Sequence, residues 1–259
     1  MGNTKKKIQD PFDTTMSLGD HLEELRARLI LAILGFVIAL IVCLCFSRYI
    51  ILLIENPYIK IIGPEARLQS LSPTDGFISY MQIAVIAGIL LASPWIFYQL
   101  WLFVSAGLYT REKRYIYVAF PFSAALFITG ALFFLLVIAP ITLRYLIWFN
   151  ENFLGVTSNF AFPQYVSFMG MMMLVFGIAF QTPIAIFFLN KTGLVSVDTF
   201  RRVRKYVLLG IVVVATAAIP GSDPLSLLAL STPMYLLYEL GILLSWLAER
   251  KKNSQKSTE

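Results

Sequence analysis

The sequence predicts an all-α integral membrane protein: six transmembrane helices, both termini on the cytoplasmic side, kinked long helices, and short fifth and sixth spans. Three observations carry this. Of 259 residues, 58% are hydrophobic and 14% charged, and the mean hydropathy is +0.74, far more apolar than a soluble domain needs. The apolar residues form separated runs of about 18 or more, the length a helix needs to cross a bilayer, and not the alternating ten-residue strands of a barrel. Lys and Arg gather in alternate loops, which sets an orientation.

Residues 1–16 carry Lys5, Lys6, Lys7, Asp10, Pro11 and Asp13 and read as a disordered, solvated cytoplasmic tail. A membrane domain comes next, over 17–250, and the basic segment 251–259 closes the chain on the cytoplasmic side. From Ser17, Leu18, Leu22, Leu25 and Leu29 share one helical stripe, and Ser17 with Asp20 forms a plausible capping pair. An interfacial helix carrying HLEELRAR is expected here, leading into a first span over about Leu29 to Phe46. Residues 48–76 read as the longest loop; its half IILLIENPYIKII is apolar enough to lie on the membrane, with Pro57 stopping any continuous helix. The second span, about Gly76 to Tyr109, exceeds the roughly 20 residues needed to cross, so it must tilt, kink at Pro94 or project.

A short charged loop, Thr110 to Arg114, comes next. The third run, Tyr115 to about Phe149, is expected to break at Pro121 and Pro140, and the connection NENFLGVTSNFAFPQ after it holds no Lys or Arg. A fourth span covers Tyr165 to about Leu189 and contains Gln181 and Pro183. Beyond the cluster Arg201, Arg202, Arg204 and Lys205, the fifth runs from Tyr206 to about Ile219, then PGSDP turns the chain into a sixth, about Leu225 to Leu247. About 14 residues reach only about 21 Å against a hydrocarbon core of about 30 Å, so either the bilayer thins beside the fifth helix or Arg204 and Lys205 snorkel. About 17 of the 21 Lys and Arg lie in the N-terminal region, the 110–114 loop, the 191–205 loop and the C-terminal tail. Both termini are therefore assigned to the cytoplasm.

The formal charge of +6 does not point to nucleic acid, because the basic residues are split among short loops and form no continuous patch. Cys43 and Cys45, two apart on a helix, point about 200° from each other and cannot bridge. No metal site and no cofactor is expected. The charged N-terminal region, about 28 residues long, and the lack of a small-residue cleavage site argue against a removable signal peptide. His21 is the single histidine, and no GxSxG, HExxH or phosphate-binding glycine loop occurs, so an enzyme is not expected. Ionisable residues inside the spans are scarce: Glu239 in the sixth and Arg144 near the end of the third. That scarcity, and the absence of matched broken helices in two halves, disfavours an ion-coupled small-molecule transporter. Glu239 is expected to pair inside the bundle. Gln181 reads as a hydrogen-bonding contact between helices, and the Arg201–Lys205 cluster as a topology determinant facing lipid head groups. Two cytoplasmic carboxylates remain, Glu24 and Glu112. Each also has a plainer reading, Glu24 as the i,i+4 partner of Arg28 and Glu112 as satisfied by Arg111, Lys113 and Arg114.

The runs HLEELRARL, ENP, SPWIFYQLWLFVSAGLYTREKR, FGIAFQTP and IPGSDPLSLLALSTPMYLLYELG occur in this order over roughly 17–250. Together they resemble the TatC family of the twin-arginine protein translocase. The resemblance implies a receptor core in a bacterial-type cytoplasmic membrane. It would bind signal peptides bearing two consecutive arginines and export folded proteins with TatA- or TatB-type single-span subunits, using the proton-motive force. Membrane lipids and further copies of the chain are implied as partners. Glu24 and Glu112 match the family's arginine-pair site, and Pro57 and Phe103 match positions tied to it. Gln181 falls where the family has a buried Glu or Gln, a contact for a partner helix, and Asp223 matches the acid of the periplasmic turn. Arg presents a planar fork that binds carboxylate bidentately, but exposed pairs are worth only about 0–1 kcal/mol. The peptide's apolar segment must therefore bury as well, and Tyr98, Trp101 and Phe103 are the expected contacts.

Overall fold

The computed structural model describes residues 18–64, 67–106, 113–218 and 224–256. Among these there is no strand, only one parallel bridge between Gln69 and Ala161. The helices are α1 (Leu18–Ile62), α2 (Asp75–Ala106), α3 (Lys113–Phe133), α4 (Ala139–Trp148), α5 (Phe162–Ala179), α6 (Thr182–Lys191), α7 (Val197–Ala218) and α8 (Pro224–Lys256). Five helical stretches are long and apolar enough to cross a membrane: His21–Ile62, Asp75–Ser105, Ala119–Phe153, Phe162–Lys191 and Leu227–Arg250. This is an all-α, multi-pass membrane architecture. The helix α7 falls short of that standard because four of its first nine residues are Arg201, Arg202, Arg204 and Lys205, leaving only Tyr206–Ala218 apolar.

Proline positions account for most departures from the expected boundaries. Pro57 does not stop the helix: α1 continues through it to Ile62, so the expected long loop over 48–76 shrinks to the segment after α1. Proline inside a helix costs about 3 kcal/mol, and packing offsets it here. Pro57 and Tyr58 are buried, Tyr58 packs against Phe160 and Tyr165 at ring distances of 5.7 Å, and the Tyr165 hydroxyl donates to the Ile54 carbonyl at 2.8 Å. Pro94 likewise sits inside an unbroken α2. It cannot donate to the Leu90 carbonyl four residues back, and the Ser93 hydroxyl donates to that oxygen instead, at 2.7 Å.

The third run is not broken at Pro121 or Pro140. Pro121 lies within α3, and Pro140 is accommodated by a π-helical turn, Phe134–Ile138, that widens the helix ahead of its ring. A second π turn, Phe149–Phe153, ends the run. The fourth span, by contrast, divides. Pro183 sits in the first turn of α6 and cannot donate to the Ala179 carbonyl four residues back, and the chain makes a turn at Phe180 and Gln181 between α5 and α6. The expected fifth span begins earlier, as α7 is helical from Val197. At the chain's end α8 carries helix past Lys251 and Lys252 into the basic tail.

The core lies where α3, its π turn and α5 meet α1 and α2. Ile83, Phe134, Met169 and Phe176 are completely buried, and Phe134 and Phe176 pack at 5.4 Å. The outer face of α1 stays open, with Ile33, Ile38 and Ile41 each more than half exposed. In lipid such a row carries no penalty, and helix association rests on van der Waals fit and hydrogen bonds.

Candidate functional site

The first turns of α1 place His21, Glu24 and Arg28 on one face, since residues three, four and seven apart overlap on a helix. That face meets the end of α2, which runs antiparallel to it. The His21 ring stacks on Phe103 at 4.6 Å and 26°; seven residues along α1, the Arg28 guanidinium reaches Oε1 of the buried Gln99 at 3.4 Å. The Trp95 indole then donates to the Leu31 carbonyl at 2.9 Å. Gln99 and Phe103 are four apart on α2, so the two helices mesh like a ladder. Glu24 and Phe103, far apart in sequence, thus belong to one rim.

Arg28 donates to Glu24 twice, through Nε at 2.8 Å and through a terminal nitrogen at 2.8 Å. Both contacts fall on Oε1. Oε2 of Glu24 makes no hydrogen bond among the described residues, and the side chain is 27% exposed, so it can accept a further donor from outside. The expected pairing of Glu24 with Arg28 is real, and it leaves half of the carboxylate open. Gln99, His21 and Trp95 were missed as rim residues. The available signal was a polar Gln99 set among aromatics on an apolar run, four residues before Phe103.

Glu112 and Asp223 lie outside the described residues. Pro57 is buried near the opposite end of α1, 33 residues along from Glu24, so the structure does not bring it to this rim. Trp101 is buried: its indole donates to the Ser123 hydroxyl at 2.9 Å and its ring meets Phe188 edge-on at 4.9 Å. It therefore cannot meet a ligand directly, whereas Tyr98 remains 38% exposed.

Gln181 donates from Nε2 to the Ser123 carbonyl at 2.8 Å. The sequence Trp101, Ser123, Gln181 therefore ties α2, α3 and the α5–α6 turn together at one polar point. The second polar cluster joins α7 to α8. Glu239 accepts from Arg204 at 2.6 Å on one oxygen and from the Tyr235 hydroxyl at 2.9 Å on the other, while the Tyr238 hydroxyl caps the Phe200 carbonyl at 2.7 Å. Arg204 is therefore a helix-to-helix partner, a contact the sequence reading did not assign to it because α7 starts nine residues before Tyr206. Either E239Q or R204Q is expected to lower stability by on the order of 1 kcal/mol. The double variant should cost no more than either alone, and thermal unfolding in detergent reads this non-additivity.

Residues 20–233 match the family model described as Sec-independent protein translocase protein (TatC). The chain belongs to the TatC family. It is 35% identical over 237 residues to the Sec-independent protein translocase protein TatC of Aquifex aeolicus (strain VF5), covering 92% of this chain and 98% of that one. It is 34% identical over 248 residues to the TatC of Koribacter versatilis (strain Ellin345), covering 94% and 90%. A solved structure described as the twin arginine translocase receptor TatC superposes with a TM-score of 0.80 at 34% identity, over 88% of this chain and 99% of that chain. Family membership makes the chain a membrane protein of protein transport and not an enzyme.

Proposed function

We propose that the chain is the receptor core that captures twin-arginine signal peptides in a bacterial-type cytoplasmic membrane. The observation that carries this reading is Glu24, held by Arg28 through one oxygen and open at the other, on the α1–α2 rim beside Phe103. A guanidinium arriving there meets a carboxylate already oriented, and a charge-assisted bond of this kind contributes about 1.5–3 kcal/mol when shielded. Connectivity supports a role for Glu112 in gripping the second arginine, since residues 107–112 join the end of α2, just past Phe103, to the start of α3. Tyr98 and Phe103 offer apolar surface to the peptide segment beyond the arginines.

The positive-inside distribution supports six spans with both termini cytoplasmic, α7 serving as a short fifth span despite its basic first half. Among the described residues the Gln181 side chain bonds only through Nε2, and its remaining capacity at the α5–α6 turn suits contact with a TatA- or TatB-type single-span subunit; Glu239, with both oxygens engaged, holds α7 and α8 together. Asp223 would face the periplasm. A single chain of six spans cannot enclose a folded protein, so export requires further subunits, further copies of this chain, surrounding lipid and the proton-motive force.

The test is binding of a synthetic signal peptide to the detergent-solubilised chain. A peptide with Arg-Arg is expected to bind at least tenfold more tightly than its Lys-Lys variant, because Lys cannot form the bidentate fork. Equal affinities would remove the arginine-pair site.

A further inference from the structure

Arg144 is the one Lys or Arg in the 76 residues from Tyr115 to Asn190. It lies on α4, exposed, and makes no ion pair or hydrogen bond among the described residues. It does so at the edge of a cavity of about 690 Å³. The cavity is an open groove, lined by Leu136, Val137, Pro140 and Ile141 before Arg144 in sequence and by Tyr145 and Trp148 after it. Val137, Ile141, Arg144 and Trp148 recur at helical spacing, so the cavity is a stripe along one outward face, while Thr142, Leu143 and Ile147 on the opposite face are buried. The π turn at Phe134–Ile138 and the ring of Pro140 open the surface there.

Depth decides what fills it. The third run follows directly on Arg114 and opens with Tyr115 and Tyr117, residue types of the membrane interface, so a hydrocarbon core of about 30 Å takes up about 20 residues of helix from near Val118. Val137 and Pro140 therefore stand in the last apolar turn, and Arg144 about 7 Å further out, at the level of lipid phosphates. Tyr145 and Trp148 are the aromatic types that settle at this interface. A protein partner would have to cover a lone cation beside an apolar slot; a phospholipid satisfies both at once.

We propose that this face is a binding site for an anionic phospholipid in the leaflet opposite the Arg201–Lys205 cluster. The lipid's phosphodiester bonds to the Arg144 guanidinium, and one acyl chain lies in the slot between Val137 and Ile141. The site goes beyond the receptor reading and requires only that the third run, about 115–149, and the fourth, about 165–189, cross the bilayer.

The full chain, in phosphatidylethanolamine vesicles doped with either phosphatidylglycerol or phosphatidylcholine bearing a photoactivatable acyl chain, tests it by mapping labelled peptides. A basic residue near the surface contributes about 1 kcal/mol toward anionic lipid, which is about fivefold. The glycerol lipid is therefore expected to label the 134–149 peptide about fivefold more than the choline lipid. R144Q should abolish that difference, R144K should keep most of it, and labelling beside Arg201–Lys205 should stay unchanged in both. Equal labelling of the unaltered chain by the two probes would overturn the site without needing a variant. So would an unchanged ratio in R144Q. Binding of the Arg-Arg peptide is expected to be the same in R144Q, so failure here leaves the receptor reading standing.

Discussion

Gly130→Ala is expected to be among the most damaging single-methyl changes in the chain, whereas Gly170→Ala should be nearly silent. A Cβ at Gly130 would sit 2.6 Å from the Phe176 carbonyl oxygen and 2.8–2.9 Å from Phe180. The first of these is backbone of α5 and cannot rotate away, so α3 and α5 must separate at the buried centre of the bundle. Overpacking of this kind costs about 1–3 kcal/mol and sometimes more. The better helix propensity of Ala returns less than about 1 kcal/mol. At Gly170 the intruding atom would be the Cδ1 of Ile86, at 2.0 Å, which is closer but is the end of a flexible side chain. Ile86 Cγ1 behind it, at 3.1 Å, need give only a few tenths of an ångström, so a rotamer change of Ile86 is expected to relieve most of the strain and the propensity gain to offset the rest. Thermal unfolding of the two variants in the same detergent should differ by several degrees, Gly130→Ala being the lower. If Gly170→Ala fell as far as Gly130→Ala, the fit of α5 against its neighbours would not depend on which atom is in the way.

The second large effect concerns recognition. Glu24→Gln is expected to weaken Arg-Arg peptide binding by about tenfold to a hundredfold, the range set by losing a charge-assisted bond of about 1.5–3 kcal/mol. Folding should change little, since the Glu24–Arg28 pair is 27% and 30% exposed and such pairs contribute about 0–1 kcal/mol. For the same reason Arg28→Gln is expected to alter peptide affinity by less than about fivefold: it frees Oε1 for the ligand while loosening the side chain that presents it. Fluorescence anisotropy with a labelled signal peptide measures both. Affinities that fell equally in the two variants would mean that the pair, and not the carboxylate, is what the peptide reads.

The helical class, the membrane and the order of the runs were legible from composition and from apolar runs of sufficient length, because lipid permits only self-satisfied backbones. The family was legible for a similar reason, as its motifs are contiguous strings. Helix ends were not. Pro57, Pro94, Pro140 and Pro183 carry the same local preference, yet the helix continues through the first three and turns at the fourth. The difference lies in the surroundings of each ring: the Tyr165 hydroxyl on Ile54, the Ser93 hydroxyl on Leu90, the π turn before Pro140. The partner of Arg204 was missed for a related reason, since nothing within α7 announces that Glu239 lies across from it.

Hydropathy and charge along the chain thus determined by themselves that this protein lives in a membrane, which stretches are long and apolar, and that Glu24 and Glu112 are the carboxylates set beside the first two of them. Only the tertiary structure decided that His21 stacks on Phe103, that Arg28 engages one oxygen of Glu24 and leaves the other open, and that Arg204 belongs to Glu239. The reason is physical. Partition into lipid is a property of each segment alone, whereas the partner of a polar side chain is set by the register between helices, which local sequence does not encode.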